Sequence, residues 1–139
     1  MSELNHSNYA DLNPKWQKRF AFFDKYGTKE SAPEYKEAYK ALSFKDRRIQ
    51  GMNFYAFFFG LIYFFILGLW RKNLALIGLF VGLFLVLDFG VDMLSINIPE
   101  KTIDRIFNLV IMWTYGSIAN KAYYLHKVKG SKSWNPFES

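Results

Sequence analysis

The sequence predicts an all-α, multi-pass membrane protein: two or three transmembrane helices, preceded by an amphipathic helical arm. Three observations predict it. Residues 52–70 are a run of nineteen without a charge. Residues 74–94 hold fourteen Leu, Ile, Phe and Val. Charge is segregated, since residues 1–51 carry 17 of the 30 Asp, Glu, Lys and Arg although mean hydropathy is near neutral at -0.04. A neutral average over so uneven a distribution indicates a membrane domain joined to a water-exposed part. At 139 residues the chain is one folding unit.

The arm, residues 1–51, has ten basic and seven acidic residues. Residues 1–13 read as disordered. Asn13-Pro14 then reads as an N-cap followed by the first helical position. Trp16, Phe20 and Phe23 share one face of the helix that follows, with Lys15, Lys18, Arg19 and Lys25 around it, and Gly27 is a stop signal. Such a short basic amphipathic helix suits a membrane surface, and packing on protein is the other reading. A second helix is expected to begin with a Ser31–Glu34 capping box around Pro33, with Tyr35, Tyr39 and Leu42 as its apolar stripe. Ser43 caps a further turn through Lys45, Asp46, Arg47 and Arg48, just before the apolar region.

The membrane domain, residues 52–126, contains three segments, 52–70, 74–94 and 106–125. The first is long enough to cross about 30 Å of hydrocarbon. In the second, Asp88 follows an uncharged run of fourteen. Its fourteen large apolar residues contribute about −4 to −8 kcal/mol to insertion against at most roughly 3 kcal/mol for an off-centre Asp. The third has only seven such residues and carries Asn108, Asn120 and Lys121. It becomes credible as the return limb of a hairpin, where hydrogen bonds to a neighbour satisfy its polar groups. Pro99 helps to end the preceding helix. Residues 127–139 are a basic tail.

Charge and span count conflict. Three full crossings put the termini on opposite sides. Yet the arm, the Arg71-Lys72 turn and Lys127, Lys129 and Lys132 are all basic, and only the 95–105 loop is neutral. The positive-inside rule asks for every basic site in the cytoplasm. A first segment that re-enters, broken at Gly60 or Gly68, meets that demand. Three plain spans and this two-span arrangement are both expectations.

Few residues point to chemistry. Asp88 and Asp92 share a helical face. In a hairpin turning near Ile98 they form a boundary cluster with Arg105 and Asn108; ion or proton handling is the functional alternative. Gly78 and Gly82 make a GxxxG, which permits close helix approach in a hairpin or a dimer. Lys15, Lys18, Arg19, Lys45, Arg47 and Arg48 are candidate contacts for anionic lipid. Cysteine is absent, which excludes disulfides and thiol chemistry. His6 and His126 lie far apart without carboxylates at metal-site spacing, and there is no phosphate loop or nucleophile elbow. No cofactor is expected. The net charge of +6 flanks apolar segments, a pattern of membrane topology rather than of nucleic-acid binding.

Ala56-Phe57-Phe58-Phe59-Gly60, Ile62-Tyr63 and Gly68-Leu69-Trp70-Arg71-Lys72 resemble the opening of a family of small bacterial inner-membrane proteins, domain of unknown function 2628. Ala119-Asn120-Lys121 and Tyr123-Tyr124-Leu125 resemble its closing segment. The resemblance covers roughly residues 30–130. Many members carry Pro where this chain has Leu61, a departure that bears on a kink in the first segment. The resemblance implies bacterial inner-membrane residence and transfers no site residue.

The expected function is therefore non-enzymatic. The leading reading is an adaptor, regulator or accessory subunit with a protein partner or a second copy of itself; an immunity protein against a membrane-targeting toxin is one subtype. An ion- or proton-transporting oligomer using Asp88 and Asp92 is one alternative. An anionic-lipid-binding surface protein is another.

Overall fold

The computed structural model describes residues 9–139, so His6 and most of the expected disordered stretch lie outside the described residues. Tyr9–Leu12 form a short turn, with the Leu12 amide bonded to the Tyr9 carbonyl. Six helices follow: α1 Pro14–Tyr26, α2 Pro33–Ala41, α3 Phe44–Gly51, α4 Phe54–Ile66, α5 Trp70–Met93 and α6 Glu100–Lys127. Among the described residues there is no strand.

Local chemistry sets the boundaries of the arm. The Asn13 side chain accepts from the Trp16 amide, and Gly27 closes α1 at φ +77°, a conformation that glycine adopts without strain. Ser43 caps α3 by accepting from the Asp46 amide. The expected Ser31–Glu34 capping box does not form: Ala32 is the N-cap of α2 and offers no side-chain bond. The reason is Pro33. The residue before a proline is pushed out of the helical region, so Ala32 is extended at ψ 138° and the helix starts one residue later than a Ser31 cap requires.

The apolar face of α1 is covered by protein, which corrects the membrane-surface reading of this helix. Trp16, Phe20 and Phe23 are buried with Tyr35 of α2 and with Tyr124 and Leu125 of α6. The Phe20 ring stands edge-on to Tyr124 at 5.3 Å between centroids, and Trp16 packs on Tyr123 at 4.7 Å.

The first apolar segment is not one straight helix. Phe59 leaves helical geometry at φ -126°, ψ 26°. On one side of this bend, the Asn53 amide donates to Gly116 of α6, and Asn53 also bonds Asn120. On the other side, Gly68 turns at φ +79° against the His126 ring. Both ends of α4 thus lie against the C-terminal half of α6, and Tyr55 and Tyr63 stack at 5.9 Å between centroids. In a straight helix they would stand about 12 Å apart along the axis. The bend occurs without a proline at Leu61. Gly60 allows it, because any side chain there would strike the Tyr115 ring.

The third element pair is an antiparallel hairpin. Phe84 of α5 meets Phe107 of α6 at 5.6 Å, and Phe80 lies between Phe107 and Tyr115. Ala56, Phe64, Leu69, Leu76, Phe80, Tyr115 and Ala119 form the buried core where α4, α5 and α6 meet. Beyond Phe84 the hairpin's apolar side chains are largely bare; Val86 and Phe89 are each 68% exposed and Met93 is 73% exposed. Two stretches are long and apolar enough to cross a membrane, Phe44–Ile66 and Trp70–Met93. The former is interrupted at Met52-Asn53, where the backbone is extended, and again at Phe59.

Gly60 and Gly78 separate close packing from mere composition. An added Cβ at Gly60 meets Tyr115, whereas at Gly78 or Gly82 it meets nothing within 4 Å. We expect Gly60→Ala to lower stability in detergent by about 1–3 kcal/mol through overpacking. Gly78→Ala should be neutral or slightly stabilising. Thermal unfolding of the two purified variants checks the ranking.

Candidate functional site

The last turn of a helix leaves carbonyls without partners inside the helix. At the end of α3 two other helices supply them. Arg19 of α1 donates through Nε to the Ile49 carbonyl at 2.7 Å and through Nη2 to the Met52 carbonyl at 3.4 Å. Asn120 of α6 donates through Nδ2 to the Ile49 and Gln50 carbonyls at 3.2 and 3.1 Å. Its Oδ1 accepts from Asn53 Nδ2 at 3.1 Å, and Asn53 Oδ1 in turn caps α4 at the Ala56 amide.

Burial pulls the Arg19 guanidinium down to about 10, with Tyr63 opposing the shift, so it stays charged near neutrality. A cation at a helix C-terminus is favoured by the helix dipole. The Trp16 ring lies 4.6 Å from its Cζ.

A second polar knot ties α4 to the hairpin. Tyr115 Oη donates to Asn73 Oδ1 at 2.7 Å, and Asn73 Nδ2 donates to the Leu61 carbonyl at 2.8 Å. Asn53, Asn73 and Asn120 are all essentially fully buried, and no buried side-chain polar atom among the described residues lacks a partner. Buried amides of this kind are tolerated because every donor and acceptor is used.

A third knot holds the tail. Lys72, only 2% exposed, donates to Glu138 at 3.0 Å and to the Ser133 carbonyl at 3.2 Å. Glu138 also accepts from Ser131 at 2.6 Å. The Ser131 hydroxyl and then Lys72 hold the Glu138 carboxyl below its usual range. A depressed carboxylate stabilises the folded form above its unfolded pKa and loses that contribution as pH falls through its folded value. Asp24 ties the arm together in the same manner, accepting from Tyr9 at 2.7 Å and from Tyr124 at 2.6 Å.

The residues singled out from sequence fall differently. Asp88, Asp92, Arg105 and Asn108 are all exposed, and no ion pair among the described residues joins either Asp to Arg105. Phe84 faces Phe107, so Asp88 sits beside Glu100, Ile103 and Asp104 instead. The expected boundary cluster assumed a turn near Ile98. The helix ends earlier, at Met93, with Ser95 at φ 51°, and this shifts the register of the hairpin.

Among the described residues nothing lies within 4 Å of a Cβ added at Gly78 or Gly82; Gly51, Gly60 and Gly116 are the close-approach glycines instead. Arg19 is buried in the polar hub, which removes it from the set of lipid contacts. Lys18 pairs with Asp46 at 3.4 Å on the surface. Arg47 bonds the Leu42 carbonyl, Arg48 lies over the Phe44 and Phe54 rings, and Lys15 and Lys45 are exposed.

The hub at the end of α3 is made of the Arg19 guanidinium and the Asn120 amide, which share the Ile49 carbonyl, and of Asn53, which bonds Asn120; Asn73 and Tyr115 are a second, separate group. The hub joins elements; it presents no nucleophile beside a base. Among the described residues no group of three or more His, Asp and Glu side chains is placed to hold a metal.

Fold and hub together define an all-helical protein with two stretches long and apolar enough to cross a membrane and a folded basic cap. Known sequences agree on its family. The family described as protein of unknown function (DUF2628) matches residues 7–129. Uncharacterized protein YigF of Salmonella typhimurium is 36% identical over 137 residues, covering 96% of this chain and 98% of that protein. YigF of Escherichia coli K12 is 35% identical over 138 residues, covering 94% and 96%. The chain belongs to the DUF2628 family. No solved structure matches it.

If Asn120 is the centre of the hub, Asn120→Ala should cost about 1–3 kcal/mol, since Asn53 and two carbonyls lose a partner. A double-mutant cycle with Asn53→Ala should give a coupling of about 0.5–3 kcal/mol in denaturant unfolding. Strict additivity would contradict the direct bond.

Proposed function

We propose that this protein is a multi-pass bacterial inner-membrane protein that acts without catalysis, as an adaptor or accessory subunit presenting a rigid basic cap to a partner. In this reading α5 and α6 cross the membrane as a hairpin, and α4 dips in from the cytoplasmic side and returns. The observation that carries it is the double contact of α4 with α6. The fold-back lets the arm, the Arg71-Lys72 turn and the basic tail share one side, as the positive-inside rule asks.

The bare apolar surface of α5 supports the membrane part. At 24 residues α5 is about 36 Å long, enough to cross. A contiguous apolar face of that extent exposed to water is rare in soluble monomers. Arg71 and Asp88 are separated by about 25 Å of helix, so the acidic residues lie near the far boundary rather than at mid-depth. That placement counts against ion handling at mid-depth by Asp88 and Asp92. Lys45 and Arg48, next to exposed Phe44 and Phe54, suit the headgroup region.

The native chain has no cysteine, so single substitutions report topology without background. Ser95→Cys should react with an impermeant maleimide on intact spheroplasts, and Ser43→Cys and Ser133→Cys only after permeabilisation. Labelling of Ser133→Cys from outside would defeat the two-span arrangement. For the adaptor reading, in-cell crosslinking from Lys15 or Lys45 should capture one defined protein. Asp88→Asn should leave ion flux in reconstituted vesicles at baseline; flux in the native protein that is abolished by this change would favour transport instead.

A further inference from the structure

The start of α5 and the C-terminal tail enclose a small hollow of about 130 Å³. Its walls include Trp70, Arg71, Lys72, His126, Ser131 and Lys132. We infer that this hollow binds a phosphate-bearing anion, which in the membrane is the headgroup of an anionic phospholipid. The inference rests on the membrane reading for the lipid source, but not for the phosphate chemistry.

Charge comes first. Arg71, Lys72 and Lys132 contribute three positive charges, and Glu138, bonded to Lys72 and Ser131, returns one negative charge. The excess is therefore cationic in a confined space. Geometry comes second. Arg71 donates through Nη1 to the Lys132 carbonyl at 2.9 Å, which fixes the guanidinium between helix and tail and leaves its other N–H groups for a ligand. The guanidinium also lies over the Trp70 ring at 5.2 Å, which keeps its plane fixed, and a held guanidinium suits the planar, paired recognition of phosphate oxygens. His126 Nδ1 faces the Ser131 carbonyl at 3.2 Å, so the tail also orients the ring.

The backbone adds a third contribution. α5 begins without a side-chain cap, so the first-turn amides of Trp70, Arg71 and Lys72 have no acceptor within the helix. Those amides and the dipole behind them favour an anion at this end. The hollow is pre-formed: Lys72 is buried, and the tail is latched to it.

Position selects the source. Trp70 and Trp134 meet edge-to-face at 5.3 Å, and each is about half exposed, as aromatic side chains at the headgroup level are. Exposed Ile66 and Leu74 flank the hollow in sequence and continue into the apolar surface, where acyl chains would lie. The small volume suits one phosphate-sized group rather than a nucleotide.

The test uses the full chain in nanodiscs of phosphatidylcholine with and without phosphatidylglycerol, followed by native mass spectrometry. One retained phosphatidylglycerol per chain is expected. Arg71→Gln/Lys132→Gln should lower retention at least tenfold. Lys132→Gln alone, whose side chain makes no hydrogen bond or ion pair among the described residues, should lower it about threefold and keeps the test valid if the double variant unfolds. Lys36→Gln/Lys40→Gln on the exposed side of α2 should change nothing. In detergent, thermal protection by inorganic phosphate without lipid retention would support the site and assign it to free phosphate. Retention unaffected by both hollow variants, or neither lipid retention nor phosphate protection, overturns the inference. Carbonate extraction of native membranes is scored separately: an extractable chain would sink the membrane reading while phosphate protection is still readable.

Discussion

Gly60 against Tyr115 is the contact on which the rest of the architecture depends. The absent side chain lets α4 approach α6 at its bend, and the same tyrosine uses its hydroxyl to hold Asn73, which holds the Leu61 carbonyl. One residue thus fixes both where α4 turns and where α5 starts. Because the chain comes back, Gly68 reaches His126, and the Arg71-Lys72 turn emerges beside the tail. A straight helix over residues 52–70 would separate these groups by about 28 Å.

α6 differs in exposure along its length. Its N-terminal half carries bare Ile106, Leu109, Val110 and Trp113, while most of its residues from Tyr115 to Leu125 are buried, by α4 and the arm, with Ser117, Lys121 and Tyr123 half-buried. Small residues at Gly116, Ala119 and Ala122 let backbone and rings approach there. Asn120, which weakens the segment as a membrane span, becomes the residue that joins α3, α4 and α6. The polar groups that lower hydropathy are the ones that fasten the cap.

Much of this was legible in the sequence. The Asn13-Pro14 start, the Gly27 stop, the Ser43 cap and the apolar segments follow from local chemistry, which acts over three or four residues. The charge conflict left three plain spans and a returning first segment both open, because topology signals lie in flanking residues; the bend at Phe59 and the Asn53–Gly116 contact come from tertiary packing that those signals do not encode. The destination of the α1 face was not legible: Trp16, Phe20 and Phe23 make an amphipathic pattern whether the cover is lipid or the aromatic rings of α6. Nor was the hairpin register, since Ser95 in a positive-φ conformation ends α5 before the proline does. The hub asparagines carried a signal that was read only half-way. An amide in an apolar segment requires a partner, but the sequence does not say which of Asn53, Asn73 and Asn120 pair.

The arm and the tail meet at one end of α6. Spin labels at Lys29→Cys and Lys129→Cys, on the protein in nanodiscs, measure it by pulsed dipolar spectroscopy. A single narrow distance well below the roughly 30 Å of the hydrocarbon layer is the result the fold predicts. A distance population at or beyond that thickness would mean that the first segment crosses, and would contradict the account.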